Sequence, residues 1–227
     1  MLASFLSLPS ELRNEIYKHL LVCREPVRPW NAENKLTTNL LFTNTTVLRE
    51  ASSLLYGNNC FDLTAWNAEL IIEFLDAIGF INASYLQYIR IDFLGLRDLG
   101  DEVSLEEGIR RILGKIQSHC TNLKSLTITP LTTYLMECMI DSFDSPVKFC
   151  RALALVASQF RTITSLQEII VEVRENRLSS DIRRKMQSHG WTLKVVELVE
   201  KEERDDGRDL DEIEDDDYPY DDDDDDD

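Results

Sequence analysis

Positive charge is scarce in this 227-residue chain: 24 lysines and arginines stand against 42 acidic residues, a net of −18. The deficit is local. From Glu200 to Asp227 there are nineteen acidic and three basic residues, a net of −16, which leaves −2 for residues 1–199. That nearly neutral part carries no basic footprint for nucleic acid, and the acidic end repels phosphate. Long apolar runs are also missing. None approaches the roughly 20 residues that cross a bilayer, and the N-terminus lacks the basic region and apolar core of a secretory signal. The five cysteines, Cys23, Cys60, Cys120, Cys138 and Cys150, are an odd set without a Cys-x-x-Cys pair. Reduced thiols and a cytoplasmic or nuclear location are the expectation. Without secretion the sequons at Asn44 and Asn82 carry no sugar.

Catalytic signatures are absent as well. The chain has no Gly-x-Gly-x-x-Gly, no phosphate-binding loop, no nucleophile elbow and no zinc spacing. Its three histidines, His19, His119 and His189, fall at the ends of separate predicted helices, where imidazole caps or complements the dipole. A non-enzymatic protein with no cofactor and no metal is therefore expected. What the sequence does have is apolar content: 43% of residues are hydrophobic, enough for one substantial core or a small module on a larger one.

The segment Leu8-Pro-Ser-Glu-Leu-Arg-Asn-Glu-Ile-Tyr-Lys-His-Leu-Leu21 predicts a helix. Pro9 suits its first turn, Glu11 complements the dipole, and Leu12, Ile16 and Leu20 fall on one face, broadened by Tyr17 and Leu21. That stripe needs either a partner or the chain's own core to cover it. A Pro- and Asn-rich connector follows, with residues 36–42 extended or in a short helical turn. Thr45 or Thr46 then caps a second helix with Val47, Ala51, Leu54 and Leu55 inward, Gly57 ends it, and Cys60–Leu63 reads as a strand.

These two segments resemble the F-box-like proteins abundant in filamentous fungi. In that family Leu-Pro-x-Glu-Leu/Ile-Arg-x-x-Ile-Tyr precedes a later Glu-Ala-x-x-Leu-Leu-Tyr-Gly-x-Asn-x-Phe, here Leu8–Tyr17 and Glu50–Phe61. The resemblance implies that Leu8, Pro9, Leu12, Ile16 and Leu20 dock on the adaptor subunit of a cullin-RING ubiquitin ligase. The chain departs from an ordinary F-box after residue 22, where the usual second and third helices are not legible.

From residue 64 helix and strand patterns alternate. Trp66, Leu70, Phe74 and Ile78 mark a helix closed by Gly79, and Leu86–Phe93 turns to period two. Ser104-Leu-Glu-Glu107 has the form of a capping box opening a helix with Leu105, Ile109, Ile112 and Ile116, and Leu123–Ile128 follows. Ser145-Pro146 starts a helix through Phe160, before Leu166–Val173. Ser179 or Ser180 starts a shorter helix, with Gly190 after it and a strand at Leu193–Leu198.

The four strands share Leu-x-x-(Ile/Leu/Val)-x-(Ile/Val/Leu), with 37, 43 and 27 residues between the leading leucines. Alternation predicts parallel pairing with helical crossovers. The shape resembles a leucine-rich repeat, too irregular for a regular horseshoe and lacking its Asn or Cys. Ile89, Ile91, Leu126, Ile128, Ile169, Val171, Val196 and Leu198 are expected inside. Tyr88, Arg90, Asp92, Ser125, Thr127, Glu168, Ile170, Glu172, Val195 and Glu197 are expected on the other face, as a partner surface or merely solvated.

The fold class expected is therefore α/β: an F-box-like N-terminal module (1–63), a short irregular leucine-rich-repeat-like helix/strand arc (64–200), and a disordered acidic tail (201–227). The functional expectation is a protein-interaction adaptor, a substrate receptor linking an unknown protein substrate to a ubiquitin ligase. The alternative is a stand-alone interaction protein that holds partners, basic ones included, through its repeat face or acidic tail. Neither nucleic acid nor membrane is an expected partner.

Overall fold

The computed structural model describes residues 4–30, 36–64, 67–92, 96–98, 103–129, 146–174 and 180–196. All belong to one unit, Met1–Glu197. Trp66, Cys138, Ser145, Ser179, Glu197, Leu198 and the acidic tail, on which several expectations rested, lie outside the described residues.

Helix α1 spans Ser10–Leu21. Pro9 stands just before it rather than in its first turn, and its carbonyl accepts the first helical bond, from Arg13 N (3.1 Å). The connector forms a 3-10 turn at Thr38–Phe42 and leads to α2, Thr45–Asn58. The cap of α2 is Asn44, whose side chain accepts from Thr46 N, and not either threonine. An amide oxygen two residues upstream reaches the free N–H without the χ1 restriction of threonine. Gly57 was expected to end α2 in a left-handed conformation. Instead it lies inside the helix, and among the described glycines only Gly79 and Gly190 have positive φ.

Strand β1 (Cys60–Asp62) is followed by α3 (Ala68–Tyr85) and β2 (Tyr88–Ile91). Gly79, at φ 75°, breaks α3 into a long and a short helical segment. A small antiparallel pair, β3 (Leu96–Asp98) and β4 (Val103–Leu105), comes next. Ser104 sits in β4 opposite Arg97, so the expected capping box does not form: its backbone is committed to a ladder, and α4 (Glu107–His119) begins after it. Then follow β5 (Ser125–Ile128), α5 (Pro146–Phe160), β6 (Glu168–Arg174), α6 (Ser180–Ser188) and β7 (Thr192–Val196).

The main sheet has five parallel strands in the order β1-β2-β5-β6-β7. Every step goes to the next position and never reverses. Because strand–helix–strand crossovers are right-handed, a sheet that grows in one direction carries its crossover helices on one face. The burial pattern agrees. Ile89, Ile91, Leu126, Ile128, Val171 and Val173 are buried in one cluster with Ile71 and Leu75 of α3, Ile112 and Ile116 of α4, Val156 and Phe160 of α5, and Met186 of α6. β1, counted in the sequence with the N-terminal module, is the first strand of this sheet, pairing Phe61 with Ile89. Val27 adds a single parallel rung on its outer edge.

The last strand shows a register difference. Val171 pairs with Leu193, so Leu193 takes the inward phase and packs on the core, whereas Val196 aligns with Arg174 on the other face. Val195, expected outward, shares the phase of Val173 but is half exposed at the sheet's end. A one-residue slip swaps faces for a whole strand, and a Val-Val pair does not resolve the phase.

Candidate partner-binding site

The two segments that carry the sequence motif meet in space. Tyr17 and Leu21 of α1 pack with Val47, Ala51 and Leu55 of α2 in a small cluster of their own. Phe5 meets the Tyr17 ring edge-on at 5.6 Å. Leu36 and Tyr56 pack partly on this cluster and partly on the main core, joining the two.

Polar groups fix the angle between the helices. Arg13 donates from Nε to Glu50 Oε2 (2.9 Å) and from Nη2 to Glu50 Oε1 (2.6 Å), a bidentate pair, and its Nη1 donates to the Leu8 carbonyl (2.5 Å). Tyr17 donates its hydroxyl to Glu50 Oε2 (3.1 Å). One guanidinium therefore ties Leu8, α1 and α2 together, with the geometric specificity of a forked donor. The Arg13 hydrogen bond holds the Glu50 carboxyl below its usual pKa, and burial followed by the hydrogen bond to Glu50 raises that of Tyr17.

At the other end of α1, Asn59 donates to the Leu21 carbonyl (2.6 Å) and the Leu55 carbonyl (2.8 Å) and accepts from Cys23 N (2.7 Å). Its side-chain amide grips a passing stretch of extended backbone through both its donor and its acceptor. The sequence places Arg13, Glu50 and Asn59 in the family motif, where Asn58-Asn59 is expected only to turn the chain and Arg13 and Glu50 have no assigned task. The signal was there: polar residues at set positions beside apolar ones.

With α1 locked through Arg13, Tyr17 and Leu21, two of its apolar residues face outward. Leu12 is 52% exposed and Ile16 39% exposed. Pro9 is exposed, Leu8 half-buried, and Leu20 half-buried against the small cluster. The expected single stripe is thus divided. Leu20 leans inward with Tyr17 and Leu21, while Leu12 and Ile16, four residues apart, form an uncovered strip. Leu6, which precedes the helix, is 41% exposed.

No family model matches this sequence, and no curated protein or solved structure is similar to it. The functional reading therefore rests on the geometry and on the motif resemblance.

His19 lies in the last turn of α1 and His119 at the end of α4, where its Nδ1 bonds Ser118 Oγ (2.7 Å). His189 follows α6; burial, with Lys185 and Arg161 nearby, lowers its pKa. No two of the three histidines lie on one element. Burial pushes the Cys60 thiol up to about 11 and that of Cys120 to about 12, so both stay protonated and weakly nucleophilic. Among the described residues no group of three or more His, Cys, Asp or Glu side chains is placed to hold a metal ion, and no helix is long and apolar enough to cross a membrane.

The face of the sheet opposite the core is polar. Arg90 of β2 reaches across β5 to Glu172 of β6 (2.7 Å), and Lys194 of β7 approaches the same carboxylate (3.5 Å). Arg28 pairs with Asp62 (3.3 Å) on β1. Tyr88 is 39% exposed there and Ser125 is buried.

Proposed function

We propose that this chain is a non-enzymatic, F-box-like adaptor of the cytoplasm or nucleus: a substrate receptor whose α1 docks on the adaptor subunit of a cullin-RING ubiquitin ligase. One observation carries the reading. Leu12 and Ile16 are exposed on a helix whose opposite side is already pinned by Arg13, Tyr17 and Leu21. The chain's own described residues leave this strip uncovered, and burying one such aliphatic side chain against a partner is worth about 1.5–3 kcal/mol. Leu8 and Pro9 extend the strip, and the Arg13 bond to the Leu8 carbonyl holds them in place. Leu20 contributes at its margin.

The remainder of the chain we read as a short, degenerate leucine-rich-repeat-like arc that presents a protein substrate. Five parallel strands in chain order support this reading, as do crossover helices on one face and a polar face opposite. Co-purification tests the proposal. The wild-type chain is expected to retain the ligase adaptor subunit, and the double variant Leu12→Asp, Ile16→Asp, still folded by circular dichroism, is expected to lose it. Equal retention by both, or retention by neither, would leave the stand-alone interaction protein as the reading.

A further inference from the structure

An open polar groove of about 490 Å³ runs along the sheet edge where the strands begin. Its character follows from the register. The residues immediately before β1, β2, β5 and β6 are Asn59, Gln87, Lys124 and Gln167, and the pairing of Cys60 with Tyr88, Tyr88 with Ser125 and Ser125 with Glu168 sets these four in one row. The main chain of the row is satisfied internally: Gln87 O accepts from Lys124 N and Ser125 N, and Lys124 O from Gln167 N and Glu168 N. What differs along the row is the side chains.

Asn59 is filled, its amide accepting from Cys23 N and donating to Leu21 O. Gln87, Lys124 and Gln167 line the groove, and their side chains make no hydrogen bond or ion pair to any described residue. Hydroxyls of Thr121, Thr164 and Ser165 stand beside them, and among the described residues no carboxylate lines the groove. The molecule thus shows, just before its own first strand, what an amide at this position does with extended backbone, and it places a glutamine at the same position before β2 and before β6.

We propose that this groove binds an extended peptide segment of a partner protein, with Gln87 and Gln167 bonding its backbone as Asn59 bonds Leu21–Cys23, and with Lys124 between them taking a carboxylate side chain. The spacing fits a polyproline-II segment. Gln87 and Gln167 are two strands apart, about 10 Å at the usual inter-strand distance. A polyproline-II chain repeats its orientation every three residues, about 9 Å, and leaves its N–H and C=O groups unbonded. Lys124 stands between the two glutamines, where it takes an acidic side chain from one of the two residues that link the gripped units. The site is distinct from the Leu12/Ile16 strip, and its test is independent of ligase binding.

The experiment uses the immobilised full chain and two mixtures of seven-residue peptides, one with glutamate fixed at the centre and one with lysine, the other positions being randomised. The glutamate mixture is expected to be retained in preference and, in solution, to shift the side-chain amide NMR signals of Gln87 and Gln167. The double variant Gln87→Ala, Gln167→Ala, unchanged in melting temperature, is expected to lose about tenfold or more in retention. Lys124→Gln is expected to keep peptide binding but lose the preference for glutamate over lysine. Unshifted amide signals, equal retention of the two mixtures by the wild-type chain, or undiminished retention by the double variant overturns the proposal.

Discussion

The helix pair α1–α2 and the strand layer behind it are held together in different ways. Among the described residues, five buried apolar side chains form the cluster between α1 and α2, whereas 28 form the core under the sheet. A small cluster leaves helix orientation loosely specified, and there the chain places a bidentate ion pair and a buried amide. The strand layer needs no such pins between helix and sheet, because its apolar surface is continuous and close-packed. Polar pins also free surface. A helix oriented by Arg13 and Asn59 uses only part of its apolar stripe for packing and leaves Leu12 and Ile16 outside.

The difference can be broken at five points, from the largest expected effect to the smallest. Leu126→Ala, at the centre of the sheet core, is expected to cost about 2–5 kcal/mol, read as a lowered urea midpoint. Asn59→Ala leaves the Leu21 and Leu55 carbonyls and Cys23 N–H without partners and is expected to cost about 2–3 kcal/mol. Hydrogen exchange should then quicken in α1 while β5 stays protected, and equal quickening in both would show that the pin serves the whole fold.

Glu50→Gln tests the ion pair through pH. The folded-state pKa of Glu50 lies below its unfolded value, so its stabilisation is present above about pH 4.5 and is lost as pH falls through the folded value. The variant should be less stable than the wild type at pH 7, with the gap closing in acid. A gap that stays constant from pH 7 to pH 3 would assign the loss to packing rather than charge.

His189 supplies the matching test in the strand layer. Its pKa is lowered by burial, and its buried Nε2 has no hydrogen-bond partner among the described residues. Above pH 6.5 both states are neutral and it contributes nothing. Below that the unfolded chain takes up the proton first, and stability declines until the folded-state pKa is reached. Thermal melts of His189→Gln should lack that component of the decline. Smallest of all, Leu12→Asp with Ile16→Asp should change folding stability by no more than about 0.5 kcal/mol by urea titration, since both are exposed. A larger loss would mean that the strip is covered within the chain.

Much of the architecture was legible from spacing. Helix and strand patterns alternating after residue 64 lead to a parallel sheet, and Gly79 and Gly190 mark real breaks because positive φ is accessible to glycine at little cost. The errors fall where two local preferences compete. Ser104 has the look of a cap, yet its backbone is taken by the ladder with Arg97. Gly57 has the look of a helix end, yet it stays helical, with ordinary contact room beside Gln87 Nε2. In β7 the phase was misread because Val195 and Val196 are equally apolar.

At the site the motif identified the segment but not the division of labour within it. Leu12, Ile16, Tyr17, Leu20 and Leu21 all lie within one broad apolar arc, and periodicity does not say which part of so wide an arc turns inward. That depends on where Glu50 and Asn59 arrive, 37 and 38 residues from their partners Arg13 and Leu21. By itself the sequence determined most of the element types, the parallel pairing of the main sheet and most of the apolar set, all consequences of short-range periodicity. Only the tertiary structure decided which side of α1 remained outside and which strand-start amide took Leu21–Cys23 as its partner. Both depend on long-range hydrogen bonds, and a hydrogen bond is a property of two groups brought together and not of either residue alone.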